Sequence, residues 1–245
     1  MKCHEIEITV HGTGMPFCTV ELDPGEVVIA EAGALMFHES GIEYETKLGD
    51  GSNPNAGFFS SLWNAGSRMI SGDSLFLTHF KNKGHVKRMV SFSATLPGDI
   101  QVVDMKEVGG SIICNRDSFL CAALGTKISA KADLSIRGLF GEGFFLQQIE
   151  GDGNIALNSG GNIQRIDLDN DEIFVDPSCL VAYQENGIRY EVIRNGGLKS
   201  MLFSGEGLAL VKLSGTGSVF LQTMPFERFV NKIASALPPR PCTHS

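Results

Sequence analysis

The fold is decided by one pattern that the chain repeats three times: Gly72-Asp73-Ser74-Leu75-Phe76-Leu77, Gly141-Glu142-Gly143-Phe144-Phe145-Leu146 and Gly205-Glu206-Gly207-Leu208-Ala209-Leu210. Each copy is a glycine turn with an acidic residue that leads into an apolar strand. A second glycine follows twelve residues after the first in every copy, at Gly84, Gly153 and Gly217. Repetition of this kind predicts an architecture of similar units joined in tandem.

Two further elements recur before each glycine turn. The first alternates apolar and acidic residues and reads Val20-Glu21-Leu22, Val103-Asp104-Met105 and Ile166-Asp167-Leu168. The second is a triplet that begins with two apolar residues and has a leucine seven residues after its first member. The three copies are Val28-Ile29-Ala30 with Leu35, Ile113-Cys114-Asn115 with Leu120, and Ile173-Phe174-Val175 with Leu180. Such alternation and short apolar runs are typical of strands. Pro24-Gly25 and Pro97-Gly98 are residue pairs that favour type II turns.

These elements predict an all-β protein of three tandem β-domains with pseudo-threefold symmetry, a short variant of the double-stranded β-helix. We expect the first repeat at residues 1–95, the second at 96–158 and the third at 159–223. The first copy is longer than the others, and its extra length predicts an insertion at residues 48–67 that begins with a glycine-rich loop.

One segment has a helical period. Phe226, Phe229, Val230, Ile233 and Leu237 fall at i, i+3, i+4, i+7 and i+11, between Pro225 and Pro238. Residues 224–245 are therefore predicted to form an amphipathic helix and a tail.

Composition and charge exclude several classes of function. The chain has 20 Lys and Arg against 28 Asp and Glu, a formal net charge of −8. A surface with this balance repels phosphate backbones, so no nucleic-acid partner is expected. We expect no secretory signal, because the first residues lack an apolar core, and the sequence has no run of about 20 apolar residues that spans a membrane. We therefore expect a cytoplasmic protein without a transmembrane segment.

No motif in the sequence predicts catalysis. The six cysteines show no Cys-x-x-Cys pair and are expected to be reduced and mostly buried. Residues 167–172 have the spaced acids that begin a calcium loop, but the glycine and the final glutamate of an EF-hand are missing and the repeat predicts a strand there. The histidines are scattered, and no Gly-x-Ser-x-Gly elbow is present. We expect a protein that is not an enzyme, with no catalytic, cofactor-binding or metal-binding residue.

Apolar residues in two segments are the candidates for an interaction surface, because they fall outside the predicted strands. They are Phe58, Phe59, Leu62 and Trp63 in the insertion and Phe226, Phe229, Val230 and Ile233 in the helix. The alternative is that they cap open ends of the β-structure and cover strand edges.

The chain resembles the altered inheritance of mitochondria protein 24 family over nearly its whole length. The resemblance is carried by Asp23-Pro24-Gly25-Glu26 leading to Ala32-Gly33-Ala34-Leu35, by the turn Gly72-Asp73-Ser74 and by Pro225-Phe226 before the closing helix. It implies a fold like that of the tryptophan RNA-binding attenuation protein. It does not imply RNA or tryptophan binding, because no repeated lysine-containing motif is present. Bacterial members of the family are largely without an assigned activity, and mitochondrial members are associated with inner-membrane organisation.

Two hypotheses of function follow from the sequence. The first is a scaffold or protein-interaction module that associates with itself as a homo-oligomer, for which a closed ring or trimer is the natural form, and that also contacts a protein partner or the face of a membrane. The second is a small-molecule-binding module that uses a cleft between repeats or beneath the 48–67 insertion.

Overall fold

The structure, a computed structural model, describes residues 2–48, 76–94, 96–131, 145–194 and 209–237. The three glycine turns that begin at Gly72, Gly141 and Gly205, and the insertion after Leu48, lie outside these residues. The described part is built from β-strands and one C-terminal helix, which confirms the all-β prediction. The division into three domains with pseudo-threefold symmetry stays a prediction.

Every pair of neighbouring strands in the described residues is antiparallel. The first eight strands are β1 Glu7–His11, β2 Phe17–Leu22, β3 Val27–Glu31, β4 Leu35–His38, β5 Ile42–Leu48, β6 Phe76–Asn82, β7 Arg88–Ser93 and β8 Gly98–Asp104. The others are β9 Ser111–Asn115, β10 Phe119–Ala123, β11 Lys127–Lys131, β12 Leu146–Glu150, β13 Asn154–Gly160, β14 Ile163–Val175, β15 Leu180–Gln184, β16 Ile188–Arg194 and β17 Ala209–Gln222. The helix α1 spans Phe226–Ala236, as the helical period predicted.

The strands form three sheets. Their orders are β1-β2-β7-β4, then β5-β6-β3-β10-β13-β8, and last β11-β12-β9-β15-β17-β14, with β16 also paired to β17. Each of the second and third sheets joins strands from two of the sequence copies, since β10 pairs with β3 and β15 with β9. These two pairs are the junctions between successive copies.

The buried residues come mainly from the faces of these strands. Val20, Leu22, Phe80 and Phe92 of the first copy belong to one apolar cluster that also contains Leu120 of the second copy, and similar clusters follow along the chain. Burial of such side chains contributes roughly 25 cal/mol for each Å² of apolar surface removed from water. The core is therefore continuous with the two junctions and stabilises them.

One buried polar side chain fixes the connection between β6 and β7. The amide of Asn82 is fully buried and donates to the carbonyl oxygens of Leu22 (2.8 Å) and Val86 (2.9 Å). Its oxygen accepts a hydrogen bond from the Gly84 N–H (2.8 Å). This side chain supplies the hydrogen bonds that the irregular backbone of the connection lacks.

The prediction of a type II turn at Pro97-Gly98 was wrong. Gly25 has the left-handed φ of +91° that such a turn requires, but Gly98 lies in extended strand β8 opposite Gly160. A Cβ atom on Gly98 would lie 1.7 Å from the carbonyl oxygen of Ser159. Glycine is required there by the close approach of two strands, and not by a turn.

Candidate interaction surfaces

Helix α1 presents an apolar face that nothing in the described chain buries. None of its residues is buried, and Phe226, Phe229, Val230 and Ile233 are all exposed, as is Leu237 just after the helix. These side chains lie on one face because residues three and four apart in a helix are neighbours. The structure thus brings together the four candidate residues of the C-terminal segment on one exposed stripe.

The helix is attached to the sheets through its polar face. The Arg228 guanidinium forms an ion pair with the Asp176 carboxylate, 2.5 Å between Nη2 and Oδ2. Burial alone would raise the pKa of Asp176, but hydrogen bonds from Ser178 and the contact with Arg228 together lower it below its ordinary value. Asp176 directly follows β14, so the helix lies beside the end of that strand.

The other four candidate residues, Phe58, Phe59, Leu62 and Trp63, lie outside the described residues. The structure therefore gives no position for the part of the candidate surface in the insertion. Whether they cover an edge or contact a partner stays a prediction.

A second exposed apolar surface lies on β4, the strand that begins at the repeated leucine of the first sequence copy. Leu35, Met36 and Phe37 are exposed in this strand, which is at the edge of the first sheet. The corresponding strands β10 and β15 are almost entirely buried, because each has a paired neighbour on both sides. The sequence could not have distinguished these strands, since all three are similarly apolar.

Near the first junction one carboxyl group has an unusual pKa. Glu31, half-buried at the end of β3, has a pKa raised to about 7 by burial and by the nearby Asp117 carboxylate, an effect that Arg116 opposes. Asp117 and Arg116 belong to the 3₁₀ turn Arg116–Ser118 that precedes β10. The group lies where two copies meet and titrates in the physiological range.

A second group of polar residues surrounds Glu185 at the end of β15. Its carboxylate accepts from the Ser111 hydroxyl (2.5 Å) and from the Gln148 amide (2.5 Å), and forms an ion pair with Lys131. Burial would raise the pKa of Glu185, but these partners together lower it. The carboxylate is therefore held ionised and fully bonded, which is the role of a structural link between β9, β12 and β15.

Buried thiols are the rule among the described cysteines. Cys3, Cys18, Cys114 and Cys121 are buried and Cys179 is half-buried, and none forms a disulfide. Burial raises the pKa of Cys114 to about 12, against a small opposing hydrogen bond from Gln147. A thiol of this kind is protonated at neutral pH and is a poor nucleophile.

A polar cleft of about 490 Å³ lies beside the bend of β14. It is lined by Asn170, Asp171, Glu172, Gly187, Arg189, Ser214 and Gly215. Asn170 has a left-handed φ of +53° at a register shift between β14 and β17. The acids that resembled the start of a calcium loop belong to this bent strand. The small-molecule hypothesis, which places a ligand between repeats or beneath the insertion, stays a prediction.

A family model described as mitochondrial biogenesis AIM24 matches residues 8–224. The chain belongs to the AIM24 family. It is 26% identical over 225 residues to an uncharacterised protein of Streptococcus pyogenes serotype M6. The match covers 91% of this chain and 87% of the relative.

The fold of this AIM24 protein is also found in a solved structure. A crystal structure of a Streptococcus pyogenes protein, from a structural genomics consortium, superposes with a TM-score of 0.75 and 22% identity. The match covers 95% of this chain and all of that one. It supports the fold, and the likeness to the tryptophan RNA-binding attenuation protein stays a prediction.

No helix in the described ranges is long and apolar enough to cross a bilayer. The cellular compartment stays a prediction.

Proposed function

We propose that this AIM24 protein is a self-associating interaction module rather than an enzyme, and that a second copy of the chain covers the apolar face of α1. The observation that carries the proposal is the helix itself, an 11-residue segment whose apolar stripe is exposed along its whole length.

An isolated helix of this length is marginal in water, because its nucleation is costly and its stability normally comes from packing of the apolar face. Here α1 is attached to the sheets by the polar contact of Arg228 with Asp176. An exposed ion pair contributes only about 0–1 kcal/mol. A stripe of five apolar side chains therefore requires a covering surface, and contiguous exposed apolar groups of this kind mark interaction sites.

A second copy is the covering surface that the chain itself can supply. Within the described residues, the exposed apolar side chains of β4 form a second apolar surface that no other element covers. The net charge of −8 disfavours partners that bind through phosphate groups, such as nucleic acid.

The test is the mass of the purified full chain in solution, measured by light scattering after size exclusion at micromolar concentration. We expect a mass that is a multiple of 26.4 kDa for the wild type. We expect loss of association for Phe229→Asp, while Ser235→Asp on the polar face of the same helix keeps it. A wild type that remains a monomer contradicts the proposal.

Binding to lipid vesicles tests the alternative that the apolar face of α1 contacts a membrane. Amphipathic helices with basic residues on the polar face bind anionic lipid surfaces. Phe229→Asp could abolish sedimentation with vesicles of mixed phosphatidylserine and phosphatidylcholine and leave the mass in solution unchanged. In that case the apolar face binds lipid and not a second copy, and the proposal is wrong.

A further inference from the structure

Two edges of the sheets carry apolar side chains and have no paired strand among the described residues. β4 is the last strand of the first sheet, and residues 173–175 of β14 pair with β17 alone. We propose that β4 of one copy pairs antiparallel with residues 173–175 of the next copy, so that the chains associate head to tail. This inference rests on the proposed function, because it names the surface by which the copies meet.

The same strand pair is already made twice within the chain. At the first junction, β10 pairs with β3 so that Cys121 lies opposite Ala30 and Ala122 opposite Ile29. At the second junction, β15 pairs with β9 so that Ala182 lies opposite Cys114 and Tyr183 opposite Ile113.

A β-bulge shows which residues of these strands correspond. The register of β4, β10 and β15 shifts at the second residue of each strand, which is Met36, Leu120 and Val181 respectively. Counted from that bulge, Cys121 and Ala182 occupy the same position. The two junctions therefore use the same register.

The next hydrogen bond at each junction agrees with this correspondence. The Leu124 N–H donates to the carbonyl oxygen of Val27 (3.1 Å) at the first junction. The Glu185 N–H donates to the carbonyl oxygen of Ser111 (3.1 Å) at the second, from the position after the last paired residue in both cases. The junction is one structural unit that the chain builds twice.

The same count, applied to β4 and to residues 173–175, gives the register of the proposed junction between copies. Ala30, Cys114 and Val175 each lie five residues before the first residue of the following bulged strand. The pairing that corresponds to the two existing junctions sets Phe37 opposite Val175, His38 opposite Phe174 and Glu39 opposite Ile173.

Exposure of the side chains supports this assignment independently. Leu120 and Val181 are buried at the existing junctions, whereas the corresponding Met36 is 53% exposed. Ile29 and Ile113 are buried, whereas the corresponding Phe174 is 53% exposed. The positions that a junction buries are those that the two free edges leave in water.

The composition of the edges points the same way. Natural proteins protect edge strands with charged residues. The edge strand β5 carries Glu43, Glu45 and Lys47, and the edge strand β11 carries Lys127 and Lys131. Neither β4 nor residues 173–175 contains an Asp, Glu, Lys or Arg. These two edges lack the protection that the others have.

Because the two edges differ, the contact is heterologous, and repeating it either closes a ring or extends a filament. Helix α1 belongs to the same contact, since Asp176, which holds Arg228, directly follows Val175. A copy that pairs with β14 therefore lies beside the helix.

Lysine substitutions at the exposed edge positions test the contact without affecting the core. Met36→Lys alters the β4 edge and Phe174→Lys alters the β14 edge, and each places a charge where the existing junctions bury an apolar side chain. Val86→Lys is the matched control, because Val86 is 55% exposed and lies between β6 and β7, outside both edges. Circular dichroism and thermal unfolding of each variant establish that it is folded.

The decisive experiment mixes the two edge variants. Each variant alone is expected to be a monomer of 26.4 kDa, while Val86→Lys keeps the wild-type mass. An equimolar mixture is expected to give a dimer of twice the monomer mass, because each variant retains the edge that the other lacks. An isologous contact gives no such complementation.

Cysteines at the predicted opposite pair distinguish contact between chains from closure within one chain. In the double variant His38→Cys with Phe174→Cys, opposite Cα atoms in an antiparallel pair lie about 5.5 Å apart, within reach of a disulfide. Oxidation with diamide is expected to give a ladder of linked chains on a non-reducing gel. A cross-link confined to single chains overturns the inference.

The failure of this inference differs from the failure of the proposed function. A wild-type oligomer that Met36→Lys and Phe174→Lys leave intact overturns the head-to-tail contact and keeps self-association through another surface. A wild-type monomer overturns both.

Discussion

Replacement of Glu31 by glutamine is expected to stabilise the protein above pH 7 and to have little effect near pH 5. Burial and the neighbouring Asp117 carboxylate raise the pKa of Glu31 to about 7 from an ordinary value of 4.5. The folded protein therefore holds the proton more tightly than the unfolded chain. The stability linked to this proton is fully present below pH 4.5 and is lost as the pH rises through 7.

The magnitude follows from the size of the shift. One pKa unit corresponds to about 1.4 kcal/mol, so a shift of this size is worth about 3 kcal/mol for a fully buried carboxyl. Glu31 is only half-buried and solvent screens part of the effect, which leaves about 1–2 kcal/mol. Glutamine has nearly the same shape and carries no proton to lose.

Urea unfolding of the wild type and Glu31→Gln at pH 5 and pH 8 measures this difference. The stability advantage of Glu31→Gln over the wild type is expected to grow by about 1–2 kcal/mol between the two pH values. Glu45→Gln, which removes an exposed carboxyl from β5, is the control. An advantage that is the same at both pH values would refute the reasoning, because the carboxyl would then not be protonated in the folded state at pH 5.

Three further outcomes are expected from the described contacts. Asn82→Ala leaves three hydrogen-bonding backbone groups without their partner and should lower the free energy of unfolding by roughly 3 kcal/mol in urea unfolding, well beyond the cost of an exposed Asn→Ala change. Gly98→Ala should destabilise by at least about 3 kcal/mol or prevent folding, because its Cβ would meet the Ser159 carbonyl oxygen, whereas Gly33→Ala, with a positive φ but open space, should cost only about 1 kcal/mol. Cys114, whose pKa is raised to about 12 by burial, should not react with Ellman's reagent at pH 8 until the protein is unfolded, and its labelling in the native state, mapped by mass spectrometry, would contradict the described burial.

The elements that local sequence patterns determine could be predicted well. The helical period of Phe226, Phe229, Val230 and Ile233 between two prolines located α1 closely, because a helix of this kind is specified by its own residues. The positive φ of Gly25 was predicted correctly for the same reason, since proline and glycine define the turn between them.

Features that depend on distant neighbours could not be predicted. The alignment of copies took Leu120 as the counterpart of Leu35, but the bulge shows that Phe119 holds that position. A strand that is buried on both faces lacks the alternation that would fix its phase. Gly98 was assigned to a turn because nothing near it in sequence indicates how closely Ser159 approaches.

The two exposed apolar surfaces also differ in whether the sequence could predict them. The apolar face of α1 could be predicted from periodicity, whereas the exposure of β4 could not. Met36 and Leu120 are both apolar residues in apolar strands, but β10 has β3 beside it, whereas β4 has no second neighbour among the described strands. Sequence specifies the chemistry of a strand, and its neighbours in the fold decide whether that chemistry belongs to the core or to a contact.

Comparison of the β4 and β14 edges with the two existing junctions gives an explanation for their exposure that neither edge gives alone. An exposed apolar edge taken alone has several explanations, including a marginal fold and a surface that no partner contacts. The chain, however, contains two pairs in which a strand corresponding to β4 meets a strand corresponding to the end of β14, in one register. Each pair shows that the two surfaces are complementary in backbone and side chains. Among the described residues the edges of β4 and of residues 173–175 lack a second strand, and we propose that a second copy supplies the complement of each without any change in the strands.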